Sequence, residues 1–533
     1  MKRLTSPKTL LTGLVVAACA ITPVTVFATN HAMKPNILVI VMDDLGTAQL
    51  DFMLDKVDKK TLKKRLVPMR YDGDFDTLYD AAKRSMPNVT KLANEGVRMT
   101  NAYVATPVCG PSRAGMMTGR HPHSFGTYSN DDAKLGIPLD ITLLPELLQE
   151  GGYATANIGK WHNAPVEKTK IDENVRSRDY HHNQIPAAVK GYGPEDRGFD
   201  YTYSYYASGV ALYNSPAIFQ NGVNIPSPGY ITHNLTKETI NFIEKSSDKP
   251  FYINLAFSVP HIPLEQNAPA KYMDRFNTGN VEVDKYYAHI NAADEGIGKI
   301  IDKLKEVGEY KNTLIFFLSD NGAVFESPMP MNGMDRGFKG TRFRGGVHVP
   351  FIAHWKGKLP EGKVNNTMIS AMDILPTALA AANIAIPSSM NVDGKDIMPV
   401  LKNKKEVPHK YLYWAGPRAL HYSPESASFW SHYWKWITFE EQTFIPSPFI
   451  EKHSVGEWAV KDQNWSLHFY DGGNHELELY NYAKDPAESI NLAAKYPEKV
   501  KELKNAFYTW IKDKPAPIAW GQDRYKVLTD SAK

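Results

Sequence analysis

An α/β architecture follows from three features of the chain. Continuous apolar, β-branched runs such as Asn36-Ile37-Leu38-Val39-Ile40-Val41-Met42 read as strands buried on both faces of a parallel sheet. Helix-like stretches at Asn88 to Glu95, Leu143 to Glu150 and Asp294 to Val307 alternate with such runs. From about Pro408 the texture changes to aromatic-rich segments, including Tyr411-Leu412-Tyr413-Trp414 and Tyr433-Trp434-Lys435-Trp436-Ile437, followed by a helix expected from Pro497 to about Lys512. That change predicts a smaller α+β domain packed on the first, and 533 residues exceed the roughly 250–300 at which single cores stop growing.

The predicted strands share one property at their ends. The first stops at Asp43-Asp44. Leu314 to Leu318 stops at Ser319-Asp320-Asn321-Gly322, Phe251 to Phe257 at Ser258-Val259-Pro260-His261, and Tyr153 to Ile158 at Gly159-Lys160-Trp161-His162. Ligand crevices of open α/β sheets lie at the carboxyl ends of the strands, so these polar clusters are expected to share one pocket.

Lys2, Arg3 and Lys8, the apolar run from Leu10 to Ala20 and the small-residue end Val26-Phe27-Ala28 have the layout of a secretory signal over residues 1–28. The expectation is an exported protein, periplasmic or secreted, with no membrane span; Val16-Ala17-Ala18-Cys19 leaves lipoprotein anchoring through Cys19 as a minority alternative. Without the three basic signal residues, 58 Lys+Arg face 58 Asp+Glu, which gives no support to a nucleic-acid binder. The remaining chain holds one cysteine, Cys109, and can form no internal disulfide. A lone thiol in an oxidising compartment suggests chemistry.

Cys109 stands in Pro107-Val108-Cys109-Gly110-Pro111-Ser112-Arg113-Ala114-Gly115-Met116-Met117-Thr118-Gly119. This run resembles the Cys-x-Pro-Ser-Arg signature of the type I sulfatases, in the alkaline-phosphatase-like superfamily. Gly152-Tyr153-Ala154-Thr155-Ala156-Asn157-Ile158-Gly159-Lys160-Trp161-His162 fits their second signature, and Leu479 to Glu488 with Asn491-Leu492-Ala493 resembles their C-terminal part. The resemblance implies a large alkaline-phosphatase-like domain with a central mixed, mostly parallel sheet between helices. It also implies a smaller C-terminal α+β domain with a short antiparallel sheet. The expected boundaries are 29–405 and 406–533.

Asp43, Asp44, Asp320 and Asn321 offer hard oxygen atoms, and carboxylates gathered at one sheet edge call for a cation between them. Calcium is the expected ion and magnesium the alternative. Zinc is disfavoured because no Cys or His cluster shows ligand spacing. Pro111 reads as the first residue of a helix, which would leave Cys109 beside the N-terminal amides.

The family resemblance implies that a maturation enzyme converts Cys109 to formylglycine, which is both a metal ligand and, as its hydrate, the nucleophile that attacks sulfur. It further implies that Arg113 holds the modified side chain, that Lys160 meets a sulfate oxygen, and that His162, near its ordinary pKa, accepts a proton. His261 in Val259-Pro260-His261-Ile262-Pro263-Leu264 resembles the histidine beside the leaving oxygen. Lys339 in Arg336-Gly337-Phe338-Lys339-Gly340 resembles its accompanying lysine.

One departure stands out. Sulfatases usually carry Glu-Gly-Gly after that lysine, whereas this chain reads Phe343-Arg344-Gly345-Gly346-Val347-His348-Val349-Pro350. Either the local ion-pair pattern is rebuilt, or Arg344 reaches a substrate acid. For the substrate pocket, Lys59, Lys60, Lys63, Lys64, Arg65 and Arg70 in the 47–85 segment are candidates. So are Arg178, His181, His182, Tyr201, Tyr203, Tyr205, Tyr206 and Tyr213 in 176–213, with Trp414, Arg418 and His421. Aromatic faces beside cations suit sulfated sugars. The expected substrate is a sulfated polysaccharide or oligosaccharide, carrageenan-like galactan first and glycosaminoglycan second. The rival readings are a phosphatase or phosphodiesterase of the same superfamily and a catalytically silent glycan-binding protein.

Overall fold

The computed structural model describes residues 1, 34–60, 74–170, 184–246, 248–328, 330–416, 457–469 and 477–517. Residues 1–28 as an export signal, with Cys19, lie outside this set except for Met1. So do Lys63, Lys64, Arg65, Arg70, Arg178, His181, His182, Arg418 and His421.

The apolar runs assemble a ten-stranded sheet. In spatial order its strands are Lys363–Asn365, Val97–Met99, Phe351–His354, Thr313–Ser319, Asn36–Met42, Phe251–Ala256, Ala154–Lys160, Tyr201–Tyr205, Tyr213–Gln220 and Val223–Tyr230. The five strands from Thr313–Ser319 through Tyr201–Tyr205 pair in parallel, and antiparallel neighbours flank them on both sides. The sheet is therefore mixed and mostly parallel.

Alternation along the Asn36–Met42 strand divides the core in two. Leu38, Ile40 and Met42 point into one apolar cluster with the Ile231–Lys245 and Val281–Glu306 helices. Ile37, Val39 and Val41 point into the other, which holds residues of the Cys109–Thr118, Leu144–Glu150 and Ile374–Ala381 helices. All seven residues of this strand are buried, as a two-sided cover requires.

A second, antiparallel sheet runs Leu412–Gly416, Glu457–Lys461, Ser466–Phe469, Glu478–Tyr480. The Pro497–Ile511 helix covers it, with Phe507 stacked on Trp458 at 4.2 Å between ring centroids. Both layers match the expected fold class.

One helix is longer than its sequence pattern suggests. The stretch expected at Asp294 to Val307 is the second half of Val281–Glu306, whose Asn280 cap accepts from the N–H groups of Glu282 and Val283. Its first half buries Tyr286, Tyr287, His289 and Asn291, so polar and aromatic residues interrupt the apolar 3.6-residue period there. Among the described residues, no helix is long and apolar enough to cross a membrane.

Candidate active site

Strand register builds the site. Met42 pairs with Ser319, Val41 with Ala256, and Ala256 with Gly159, so Asp43, Asp320, Phe257 and Lys160 leave the sheet at neighbouring points. The backbone turns there are tied together: Asp320 N–H donates to the Met42 carbonyl at 3.1 Å, and Asp43 N–H to the Val259 carbonyl at 3.2 Å. Gly159 has φ +106°, and a Cβ there would collide with the Ala256 carbonyl, so only glycine suits this approach. Asp44 and His162 also occupy positive φ, at 69° and 55°, where non-glycine residues are uncommon and strain collects at functional sites.

The helix carrying the lone thiol spans Cys109–Thr118. Cys109 is thus its first residue and Pro111 its third, two places later than expected. The missing N–H of Pro111 costs nothing in a first turn, whose amides have no intrahelical partner. Gly110 N–H instead finds Asn130 Oδ1 at 3.0 Å, a contact that nothing in the sequence around Cys109 signals.

Cys109 Sγ lies 3.7 Å from Asp43 Oδ1 and 3.8 Å from Asp44 Oδ1. Burial pushes its thiol up to about 12, and Lys160 and Lys339 offset only part of that. A thiol held protonated is a weak nucleophile and a weak metal ligand.

Three cations meet three carboxylates around it. Lys160 Nζ pairs with Asp43 at 2.7 Å and Lys339 Nζ with Asp44 at 2.8 Å. Arg113 grips Asp320 Oδ2 through Nε at 2.9 Å and Nη2 at 2.7 Å, with Asp43 at 3.8 Å. His261 Nε2 stands 3.6 Å from Asp44 Oδ2, while Nδ1 meets the Ile262 carbonyl at 2.9 Å. Asn321 donates to Asp44 Oδ1 at 2.7 Å. Of the ten residues expected from the sequence, nine are joined by these contacts, and the tenth, His162, lies within the field of Lys160, Arg113 and Lys339.

His162 departs from its expected state. Burial, followed by the charges of Lys160, Arg113 and Lys339, holds its imidazole well below the ordinary range, so the ring is neutral rather than poised near its usual pKa. Its Nδ1 is buried without a hydrogen-bond partner among the described residues. Against burial, which lowers it, Asp44, Cys109 and Asp43 hold the Lys339 ammonium above its ordinary value.

The donor set fits a hard divalent cation. Asp43, Asp44, Asp320 and Asn321 are all 0% exposed, and Asn321 Oδ1 has no hydrogen-bond partner among the described residues. Burial pushes Asp43 up to about 7 despite Lys160, with Asp320 and Asp44 adding to the rise. Such a carboxylate is short of positive charge, which a divalent ion restores. One expectation needs correction: ligand atoms of Asp43, Asp44, Cys109 and His261 all lie within 4.8 Å of one another, so a Cys and a His do converge here. Their spacing in sequence hides this because they come from different strand ends.

Arg344 settles into the first of its two alternatives. Its Nε pairs with Asp335 at 2.8 Å, Nη1 reaches Asn101 and Tyr103, and Nη2 lies 3.1 Å from His348 Nδ1. The guanidinium is buried in a rebuilt ion-pair pattern. Several substrate candidates are also structural: Tyr203, Tyr205 and Tyr206 are at most 5% exposed, and buried Trp414 donates to the Val104 carbonyl. Tyr201 donates to Glu238 and Tyr213 to the Asn267 carbonyl, and Lys59 pairs with Asp76 at the surface.

Comparison with known proteins agrees with this geometry. The Sulfatase family matches residues 35–384, and the family described as N-sulphoglucosamine sulphohydrolase, C-terminal, matches residues 338–513. A protein of Escherichia coli (strain K12), described as an uncharacterized sulfatase, is 42% identical over 489 residues, covering 91% of this chain and 87% of the relative. Human N-acetylgalactosamine-6-sulfatase is 28% identical over 500 residues, covering 89% of this chain and 85% of the relative. Among solved structures, that of Ps i-CgsB in complex with k-i-k-neocarrahexaose superposes with a TM-score of 0.69 at 25% identity, covering 93% of this chain and 97% of the other. The chain belongs to the sulfatase family. It is a sulfatase, a hydrolase with an alkaline-phosphatase-like large domain.

Proposed function

We propose that this sulfatase removes sulfate from a sulfated polysaccharide or oligosaccharide, carrageenan-like galactan first and glycosaminoglycan second. In this reading Cys109 is converted to formylglycine by a maturation enzyme, Ca²⁺ is the resident ion, and the protein is exported. The observation that carries it is the placement of Cys109, in the first turn of a helix and within 3.8 Å of both Asp43 and Asp44.

Charge supports an anionic substrate. Arg113, Lys160 and Lys339 offset Asp43, Asp44 and Asp320 one for one. Asp43, Asp44, Asp320, Asn321 and residue 109 would hold the ion, which would supply two positive charges and Lewis-acid stabilisation for an oxygen nucleophile. Lys160 and Lys339, now paired with Asp43 and Asp44, are the point charges suited to meet the sulfate oxygens.

His261, 15% exposed at its side chain, is the group at the site's rim suited to protonate the leaving oxygen, with Lys339 assisting. Neutral His162 is the acceptor for the proton lost when sulfate leaves. Ps i-CgsB, solved with a neocarrahexaose, and the N-acetylgalactosamine-6-sulfatases support the two substrate classes.

The test is sulfate release from carrageenan oligosaccharides and from sulfated glycosaminoglycan disaccharides, by protein made in its own host, beside Cys109→Ala. Release by the parent alone is expected. Equal rates in the two proteins, or no release from any glycan, overturns the reading.

A further inference from the structure

The segment bearing Lys339 is held at both ends by one residue from the C-terminal part of the chain. Arg336 Nη1 donates to the Glu488 carbonyl at 3.1 Å, and the Arg344 N–H donates to Glu488 Oε2 at 3.0 Å. Between these anchors Gly345 N–H donates to the Arg336 carbonyl at 2.6 Å, closing the segment into a loop.

The tip of that loop rests on the site. Lys339 N–H donates to the Ala323 carbonyl at 2.9 Å, and Gly340 N–H to the Pro107 carbonyl at 2.8 Å. Gly322 N–H donates to the Gly346 carbonyl at 3.1 Å. The loop thus touches the turn after Asn321 and the residues leading into Cys109.

Glu488 is itself fixed. It is 0% exposed, and its Oε1 accepts from Lys461 Nζ at 2.6 Å, Ser466 Oγ at 2.7 Å and His468 Nε2 at 3.0 Å. All three donors belong to the second sheet or its turn. A buried carboxylate persists only when its hydrogen bonds are met, and here one oxygen serves the sheet and the other the loop. Beside the loop lies a cavity of about 270 Å³ lined by Asn332, Gly333, Met334, Asp335 and Arg344. Of the loop residues only Arg344 lines this cavity, and Phe343, stacked on His468 at 4.6 Å between ring centroids, adds an apolar contact to the second sheet beside the polar anchors.

We propose that Glu488 is a positioning residue through which the C-terminal sheet holds Lys339 against Asp44. The proposal rests on the reading of Lys339 as an aid to leaving-group protonation.

Two variants and two measurements test it. Glu488→Gln replaces an acceptor oxygen with an N–H₂ group, so either the loop or the sheet loses its acceptor. Arg336→Ala removes the other anchor, together with the Arg336 contacts to Tyr480, Glu478 and the Phe343 ring, at a side chain 36% exposed, and leaves the buried carboxylate intact. Backbone hydrogen exchange over residues 336–347 is expected to quicken on the order of tenfold in each, with the Asn36–Met42 strand unchanged. Unchanged exchange over 336–347 in both variants overturns the proposal whatever the substrate.

Kinetics supply the second readout. An alkyl sulfate has a poor leaving group and needs the proton, whereas 4-nitrophenyl sulfate does not. The variants are expected to lose on the order of 10–100-fold more kcat on the alkyl ester than on the aryl ester, with KM little changed. Equal losses on both esters overturn the proposal, since loss of folded protein alone has that effect. If the parent hydrolyses neither ester, the reading of the function fails and hydrogen exchange still decides the role of Glu488.

Discussion

Asn321 donates from Nδ2 to Asp44 Oδ1 over 2.7 Å, across 277 positions of sequence. This bond orients the amide so that Nδ2 is spent while buried Oδ1 stays open. An amide oxygen beside three carboxylates is what a calcium ion takes. Calcium is therefore expected to stabilise the fold by about 2.7 kcal/mol at a hundredfold excess over Kd, and so to raise the thermal midpoint. Asp44→Asn should abolish the response, and differential scanning fluorimetry with and without chelator checks it. A midpoint indifferent to calcium in metal-stripped protein would remove the assignment.

Cys109→Ala is expected to lower sulfate-ester hydrolysis by on the order of 10³-fold or more while leaving the fold intact. The side chain is small and sits in a first turn, so deletion removes chemistry rather than packing. Sulfate release measures the first effect and circular dichroism the second. Peptide mass spectrometry of the segment from the native host should show an aldehyde in place of the thiol.

His261→Gln should separate substrates by leaving group. Loss of a positioned acid costs roughly 10²–10⁴-fold when the departing oxygen is an alkoxide, and far less when it is a nitrophenolate. Parallel kcat measurements on a sulfated sugar and on 4-nitrophenyl sulfate decide it. Equal losses would move the proton donor elsewhere.

Acid stability carries the imprint of His121. Burial lowers it to about 4, with His123 nearby and Asp393 and Lys514 as charged neighbours. Its Nε2 meets the Tyr413 carbonyl at 2.8 Å, and Nδ1 has no hydrogen-bond partner among the described residues. The unfolded ring binds its proton near 6.5, so its contribution is intact above that pH and is lost as pH falls toward 4. His121→Gln should shrink the stability difference between about pH 7.5 and pH 4.5 by about 2–3 kcal/mol, read from urea midpoints.

Much of this site was legible before any coordinate. Asp43, Asp320 and His261 lie just beyond apolar strands and Lys160 at the end of another strand, and a parallel sheet gathers such ends at one edge. Contiguous signatures marked Cys109 and His162. What stayed hidden depends on contacts between distant segments. Nothing near Arg344 announces Asp335 and His348 as a set, and 144 positions separate it from Glu488. Asn130 was overlooked because its capping of Gly110 leaves no local pattern. The tyrosines from Tyr201 onward looked like sugar platforms because composition alone cannot distinguish a strand's inward face from a pocket wall.

Burial of Cys109 also bears on the order of events in biosynthesis. With its side chain 1% exposed beneath two acidic strand ends, the residue cannot enter the catalytic cleft of another protein once this helix has docked. In the proposed reading, conversion to the aldehyde would therefore precede closure of the sheet, while the nascent polypeptide is still extended. Slow or catalysed folding would then set the time window for maturation, and a chain that collapses early would emerge well folded but inert.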